Sequence, residues 1–421
     1  MKVLKFFTNL VIVLLLFLVG SIAQYKYNVV QYLPIDIPIG EMNTDLSPQQ
    51  LSKLMNTAQP AEFEDVDFEV FWQAWQLLED NYVEQEKIDP QKMVDGAVAG
   101  MTAALGDPYT AYLPREDKIR TAQDLAGAFY GVGIELGYVE GVLAVVAPLD
   151  GTPAGNANIE PGDLIIRVKD MQKELDEDTS GWSLSHAVDQ IRGPRNSEVT
   201  LTLFRKTNGN EPFEVSLLRD EIVVKSVEVS FLDLADKRVA HIRLSRFGER
   251  TDEEWNDAVA QILAERNKID GVVLDMRNNP GGFFDGAIQV ASDFIPSGVV
   301  VTQKGRLGEQ KYPVVGQARL KNIPLIVLVN GGSASASEIV AGALRDQLST
   351  PLVGQKTFGK GTVQDRRDLT NGGAMHVTIA RWILPSGAWI HNEGISVDIE
   401  VEDNPDTEED EMLTKAVESL S

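Results

Sequence analysis

The sequence predicts a chain of mixed class: a helical N-terminal segment, a β-rich α+β module, and an α/β layer with buried parallel strands. Three observations carry this. Apolar residues recur at three- and four-residue steps from Phe68 to Tyr82. Short β-rich runs punctuated by turn residues fill 126–222. Apolar strands alternate with helices over 229–400. At about 150 residues per domain, 421 residues make two or three domains.

In the first segment, Phe68, Phe71, Trp72, Trp75, Leu78 and Tyr82 fall on one helical face, and the stripe is read as core. A second helix is expected from about Pro90 to Leu105, stopped by the turn signal Gly106-Asp107-Pro108. In the module, strands are expected at Gly133–Leu136, Val142–Ala147, Leu164–Val168, Val199–Phe204 and Phe213–Leu218, with one helix near Ser183–Ile191. In the third part, Val239–Leu244, Gly271–Met276 and Pro324–Val329 read as strands. Thr251–Lys268 reads as a helix opened by the capping box Thr251-x-x-Glu254. The tail after Glu402 is acidic and is expected to end in a short helix.

Composition excludes several classes of function. Hydrophobic residues make 43% and charged residues 24%, which rules out a mainly disordered or polytopic membrane chain. The net charge of −25 repels phosphate backbones, so nucleic acid is not an expected partner. With no cysteine there is no disulfide, zinc-thiolate site or cysteine nucleophile. Four scattered histidines suggest no metal site, and no cofactor is expected.

The N-terminus points to export. Lys2 and Lys5 precede an apolar run reaching Ala23, with Ser21 and Ala23 as small residues at a cut site. The run is also near the lower length limit for spanning a bilayer. A removed signal and a membrane anchor through residues 3–23 both fit, and the anchor is preferred. Residues 24–61, with Pro34, Pro38, Pro48 and Pro60, read as a linker.

The chemistry concentrates where the apolar strand Pro324–Val329 meets Asn330-Gly-Gly-Ser-Ala-Ser-Ala-Ser-Glu338 and a helix leaves. Free N–H groups at a helix start favour negative charge, so a serine there can be a nucleophile beside an oxyanion site. Read locally, Ser335-x-x-Glu338 is also an ordinary capping box. A serine needs a base. None of His186, His241, His376 and His391 lies in a recognisable hydrolase signature. A buried lysine can serve, because burial disfavours the ammonium form. Lys360, between Gly359 and Gly361, is the candidate. Gly354–Lys360 has the spacing of a phosphate-binding loop, but Gly361 stands where a Ser or Thr would hold magnesium, and strand rather than helix follows.

From Phe68 to Val401 these residues resemble the carboxyl-terminal processing peptidases, or tail-specific proteases. Asn330–Leu344 resembles the nucleophile segment, Phe358–Gln364 the lysine segment, and Leu274–Gly282 the glycine loop. Gly106–Leu113 and Trp382–Gly387 resemble flanking segments. The resemblance implies a crotonase-like α/β protease core over 223–402, after a helical segment at 62–125 and an inserted PDZ domain at 126–222, with an acidic tail at 403–421. It implies Ser335 as nucleophile, Lys360 as general base, Gln364 orienting it, and an oxyanion hole of Gly281 and Ala336 N–H groups. Tyr130, Gly131, Val132, Gly133 and Ile134 would form the loop that receives a peptide carboxylate. Val397 stands where the family usually has proline, and Asn156–Ile159 departs from the usual PDZ stretch.

The implied activity is that of a bacterial serine endopeptidase of the cell envelope or periplasm that binds protein C-termini and cuts near them. Its oligomeric state is open. The alternative is a noncatalytic PDZ adaptor on a protease-like core, which intact Ser335, Lys360 and Gln364 argue against.

Overall fold

A computed structural model describes residues 66–149, 151–206, 211–402, 407 and 409–420. The expected export segment and linker, and most of the acidic run after Glu402, lie outside the described residues. Among the described residues no helix is long and apolar enough to cross a membrane.

The chain divides into two compact units, Met1–Pro90 and Gln91–Ser421. In the first, helix α1 (Glu69–Asn81) carries the aromatic stripe, but none of its residues is buried. Phe71 meets Trp72 edge-on at 5.0 Å, and Trp75 lies 6.0 Å from Trp72. The reading of this stripe as core is therefore corrected. Helical spacing defines an apolar face, not its cover, and here the rings pack along the helix on one another.

The next helix, α2 (Pro90–Ala103), starts on proline, a residue suited to a first helical turn, and all but that first residue belongs to the second unit. Strand β1 (Ala111–Leu113) follows, then α3 (Arg115–Ala126), ended by Gly127 in the left-handed conformation at φ 65°. The β-rich module comes next, with β2 (Ala128–Gly131), β3 (Ile134–Val139), β4 (Val142–Pro148), β5 (Leu164–Asp170), β6 (Leu175–Asp178), α4 (Leu184–Ile191), β7 (Glu198–Phe204), β8 (Phe213–Leu218) and β9 (Asp220–Val223). Strands β3-β4-β5-β7-β8 form a sheet with β6 attached to β5, so β3 is an edge strand. Val145, Ile165, Val168, Ala187, Val199 and Leu201 centre its core. Buried Arg219 bonds buried Asp170 at 2.6 Å and caps α4 through Ile191 O at 2.7 Å. β2 pairs antiparallel with β9, Gly131 opposite Asp220, so the module's two ends lie side by side.

Strands β10 (Val227–Leu234) and β11 (Lys237–Leu244) then form a hairpin, followed by α5 (Thr251–Glu265), β12 (Gly271–Asp275) and α6 (Phe284–Ser292). The hairpin β13 (Val299–Gly305) and β14 (Gly308–Pro313) precedes β15 (Leu325–Val329), α7 (Ala336–Leu348) and β16 (Leu352–Gly354). β17 (Thr362–Asp368), β18 (Ala374–Ile383), β19 (Ile399–Glu400) and α8 (Glu411–Glu418) complete the chain. The main sheet runs β10-β11-β12-β15-β16-β19, parallel from β11 onward. Its central strands β12, β15 and β16 are buried on both faces because both are covered. Ile242, Val272, Leu274, Val327 and Val329 pack on α5, α6 and α7 through Trp255, Val290, Ile339 and Leu344. The alternating Val239, Val273, Ile326 and Leu328 pack on α8 through Met412, Leu413, Ala416 and Val417. A second sheet, β1-β18-β13-β14 with β17 on β18, carries the lysine segment's continuation.

Candidate active site

Buried strand β15 delivers the chain to a tight loop, and α7 leaves it at Ser335. Ser335 has φ 56° and ψ −113°, a conformation that costs a non-glycine residue of order 1–3 kcal/mol and persists only where its surroundings impose it. The two neighbouring serines are buried and engaged. Ser333 Oγ donates to Met276 O at 2.8 Å, and Ser337 Oγ donates to Ala334 O at 2.8 Å and Asn279 O at 3.0 Å. Of the three alternating serines, Ser335 is the one that lines a cleft.

Glu338, fully buried one turn into α7, holds this corner together. Its Oε2 accepts the N–H of Ser335 at 2.7 Å and of Lys360 at 2.9 Å. Its Oε1 accepts from Thr357 Oγ1 at 2.6 Å and from Gly359 N at 2.7 Å. Four donors, one of them at the positive end of a helix, offset the cost of burying the carboxylate.

Lys360 lines the same cleft, with Nζ 5.1 Å from the centre of the Tyr109 ring. Burial pulls its pKa below the ordinary lysine value, against the opposing pull of Asp107 and Glu338. Its glycine neighbours are sterically required. A Cβ on Gly359 would lie 2.7 Å from Gly394 N, and one on Gly361 would lie 2.8 Å from Trp389 Nε1. Gln364 also lines the cleft, but its amide donates to Thr362 Oγ1 at 2.9 Å and Thr378 Oγ1 at 3.1 Å. Among the described residues no hydrogen bond joins Ser335 to Lys360, or Lys360 to Gln364.

The loop after β12 forms the facing wall. Asp275 is fully buried; burial alone would raise its pKa, but His241 at 3.1 Å and Arg277 at 2.7 Å hold it well below the usual carboxylate range. Arg277 also forms a bidentate pair with Asp410, at 2.7 and 2.8 Å, which caps α8 by accepting from Leu413 N. The two expected oxyanion donors, the Gly281 and Ala336 N–H groups, differ in their engagement. Among the described residues the Ala336 N–H has no hydrogen-bond acceptor. The Gly281 N–H, by contrast, donates to Asn279 Oδ1 at 2.9 Å, an Asx-type turn that aims it inward. Gly282, next in the chain and on the cleft wall, has an N–H with no acceptor among the described residues. Gly281 (φ 97°) sits so close that a Cβ there would lie 2.8 Å from Ser335 Cβ and 2.9 Å from Ala336 N.

The cleft measures about 530 Å³. Besides these residues it is lined by Leu125, Glu249, Arg366 and His376. A hollow of about 600 Å³ between β10 and α5 holds neither Ser335 nor Lys360, so its size carries no weight here. Among the described residues no cluster of three or more His, Asp or Glu is placed to hold a metal. Sequence reasoning missed Glu338 as a bridge, Tyr109 as the ring beside Lys360 Nζ, and His376 and Arg366 as cleft residues. Tyr109 stood inside a flanking segment of the resemblance, and the others had no local signal.

Tyr130–Ile134 lie in the separate β-rich module, where β2 gives way to β3. Among the described residues the N–H groups of Val132 and Gly133 have no hydrogen-bond acceptor, and Gly133 has φ 77°. Edge strand β3 and helix α4 flank this loop. Arg120 of α3 pairs with Asp189 of α4 at 3.3 Å, and Arg192 stacks over Phe129 at 3.8 Å, tying the module to the helix that leads into it.

Residues 238–401 match peptidase family S41, and residues 20–117 match the activating protease CtpB N-terminal domain. The chain is 34% identical over 339 residues to the carboxy-terminal processing protease CtpA of Bacillus subtilis, covering 80% of this chain and 70% of that one. It is 38% identical over 320 residues to the carboxy-terminal-processing protease of Bartonella bacilliformis, covering 75% and 70%. A solved structure assigned to the S41 proteases, from Bacteroides fragilis, shares the fold at TM-score 0.52 and 15% identity, covering 81% of this chain and 95% of that one. At this identity and coverage the chain belongs to the carboxy-terminal processing proteases, serine-type peptidases of family S41.

Proposed function

We propose that the chain is an exported endopeptidase that receives protein C-termini on residues 126–222, acting as an inserted PDZ domain, and cuts near them with a Ser335–Lys360 dyad on a crotonase-like core. The observation that carries this is the corner at Glu338. The cleft-facing serine and a half-dehydrated lysine share one buried anchor and one cleft.

Neutral Lys360 takes the Ser335 Oγ proton as Oγ attacks the scissile carbonyl. The Ala336 N–H at the start of α7 stabilises the developing oxyanion, joined by a glycine N–H from Gly281–Gly282. The free one in this arrangement is that of Gly282. The lysine ammonium then gives its proton to the leaving amine, and water releases the acyl group. Gln364 keeps its carbonyl for Lys360 while its NH₂ is held by the two threonines.

Lys360 must move within hydrogen-bond reach of Ser335 for this chemistry. A C-terminal peptide pairing with edge strand β3, its carboxylate on the Val132 and Gly133 N–H groups, would bias that shift if it binds the closed arrangement more tightly. Export to the cell envelope, with membrane attachment through residues 3–23, rests on the basic and apolar N-terminal sequence.

The test is digestion of an unstructured protein by the full chain and by Ser335→Ala, with a C-terminal peptide added in increasing amounts. Cleavage by the first alone, stimulated at low peptide, supports the reading. Equal cleavage by both rejects the nucleophile, and competitive inhibition at every peptide concentration rejects the gating.

A further inference from the structure

We infer that Arg366 and His376 form a carboxylate-binding subsite in the cleft, selecting an acidic group two or three residues from the scissile bond. This rests on Ser335 and Lys360 being the cutting pair.

The register of β17 and β18 places these groups. Gln364 stands opposite Thr378, and Arg366 stands opposite His376. Residues two apart on a strand share a face, and directly opposed residues have Cβ atoms about 5 Å apart. Gln364, Arg366, Thr378 and His376 therefore share one face, which the 3.1 Å bond from Gln364 to Thr378 confirms for the inner pair. Gln364, Arg366 and His376 all line the cleft. Arg366 lies about 7 Å along the strand from Gln364, the advance of two residues in an extended peptide.

The pair is placed to receive an anion. Arg366 has one ion-pair partner among the described residues, Asp368, whose Oδ1 lies 3.6 Å from Nε, beyond hydrogen-bond range, and which also pairs with Lys118 at 3.1 Å. The Arg366 side chain is 43% exposed and lines the cleft. The other charged groups lining the cleft are Lys360, on the same wall, and Glu249, which stands with α3. Among the described residues no ion pair joins Glu249 to Arg366. The chain carries a net charge of −25, yet this wall of its cleft holds Lys360, Arg366 and a histidine together. An arginine fork matches a carboxylate bidentately, and a neutral imidazole adds one donor. Burial, then Lys360 and Arg366, favour the neutral form of His376.

The acidic group can be an Asp or Glu side chain or the substrate's own terminal carboxylate, and the experiment separates them. Unstructured peptides with one constant C-terminal tail carry Asp or Asn at each position from three before to three after the cut. A second set ends two or three residues past the cut, as free acid or amide. We expect one position where the acidic form is cut about five- to tenfold better in kcat/KM, mainly through KM. Arg366→Gln should bring that ratio to about one, Arg366→Lys should keep part of it, and Arg366→Glu should turn the preference toward Lys. Preference in the first set assigns a side chain, and in the second a terminus. Ratios near one throughout, or a ratio unchanged in Arg366→Gln, overturn the subsite while leaving the peptidase intact. If the unaltered chain cuts nothing that Ser335→Ala does not, the peptidase reading fails and the subsite with it.

Discussion

Ser335 and Lys360 donate their backbone N–H groups to the same atom, Glu338 Oε2, at 2.7 and 2.9 Å. A shared acceptor fixes the spacing of the two backbones more tightly than the intervening chain can. Glu338→Gln replaces one acceptor oxygen with an NH₂ facing donors. We expect kcat to fall about a hundredfold in a folded protein of lower Tm. Glu338→Ala, which orphans four donors, should lose several kcal/mol of stability. Steady-state kinetics and thermal unfolding check both.

The lysine should trade stability for activity. Burial puts its folded-state pKa below that of the unfolded chain, so the unfolded chain holds the proton more tightly. The penalty is absent above the unfolded value of about 10.4, grows as pH falls from there, and is complete below the folded value. Lys360→Met should therefore abolish cleavage yet raise Tm at pH 7, the gain vanishing toward pH 10.5. Cleavage by the unaltered chain should rise with pH as Lys360 deprotonates. Melting curves across pH test the sign.

The Arg277 bridge joins the glycine loop to the C-terminal helix. Removing the arginine, as in Arg277→Met, strips buried Asp275 of its main counter-charge and should cost about 3–5 kcal/mol. Asp410→Asn keeps the α8 cap and loses only a half-exposed charge, so about 1 kcal/mol is expected. Urea unfolding midpoints measure the difference.

At the glycine loop, Gly281→Ala puts a methyl group 2.8 Å from Ser335 Cβ at a φ of 97°. We expect more than a hundredfold loss in kcat with circular dichroism unchanged.

Much of this was legible in the sequence where a signal is local. The runs at Gly271–Asp275 and Leu325–Val329 are wholly or almost wholly buried, and unbroken apolar runs have few alternatives. The Ser335 corner announces itself through small residues between such a strand and a helix. What stayed hidden depends on partners distant in the chain. Ser335-x-x-Glu338 reads as a cap, and nothing in its spacing says that Thr357, Gly359 and Lys360 also converge on that carboxylate. The stripe on α1 was legible as a face but not as one left half-buried. The Gly281 N–H was legible as a loop donor but not as one aimed at Asn279.

The most direct test of the dyad is labelling with a fluorophosphonate, which reacts with an activated serine hydroxyl. The account predicts one adduct per chain, mapped by peptide mass to Ser335, growing faster as pH rises and lost in Lys360→Ala while Tm holds. An adduct on another serine, or undiminished labelling of Ser335 in Lys360→Ala, would contradict it.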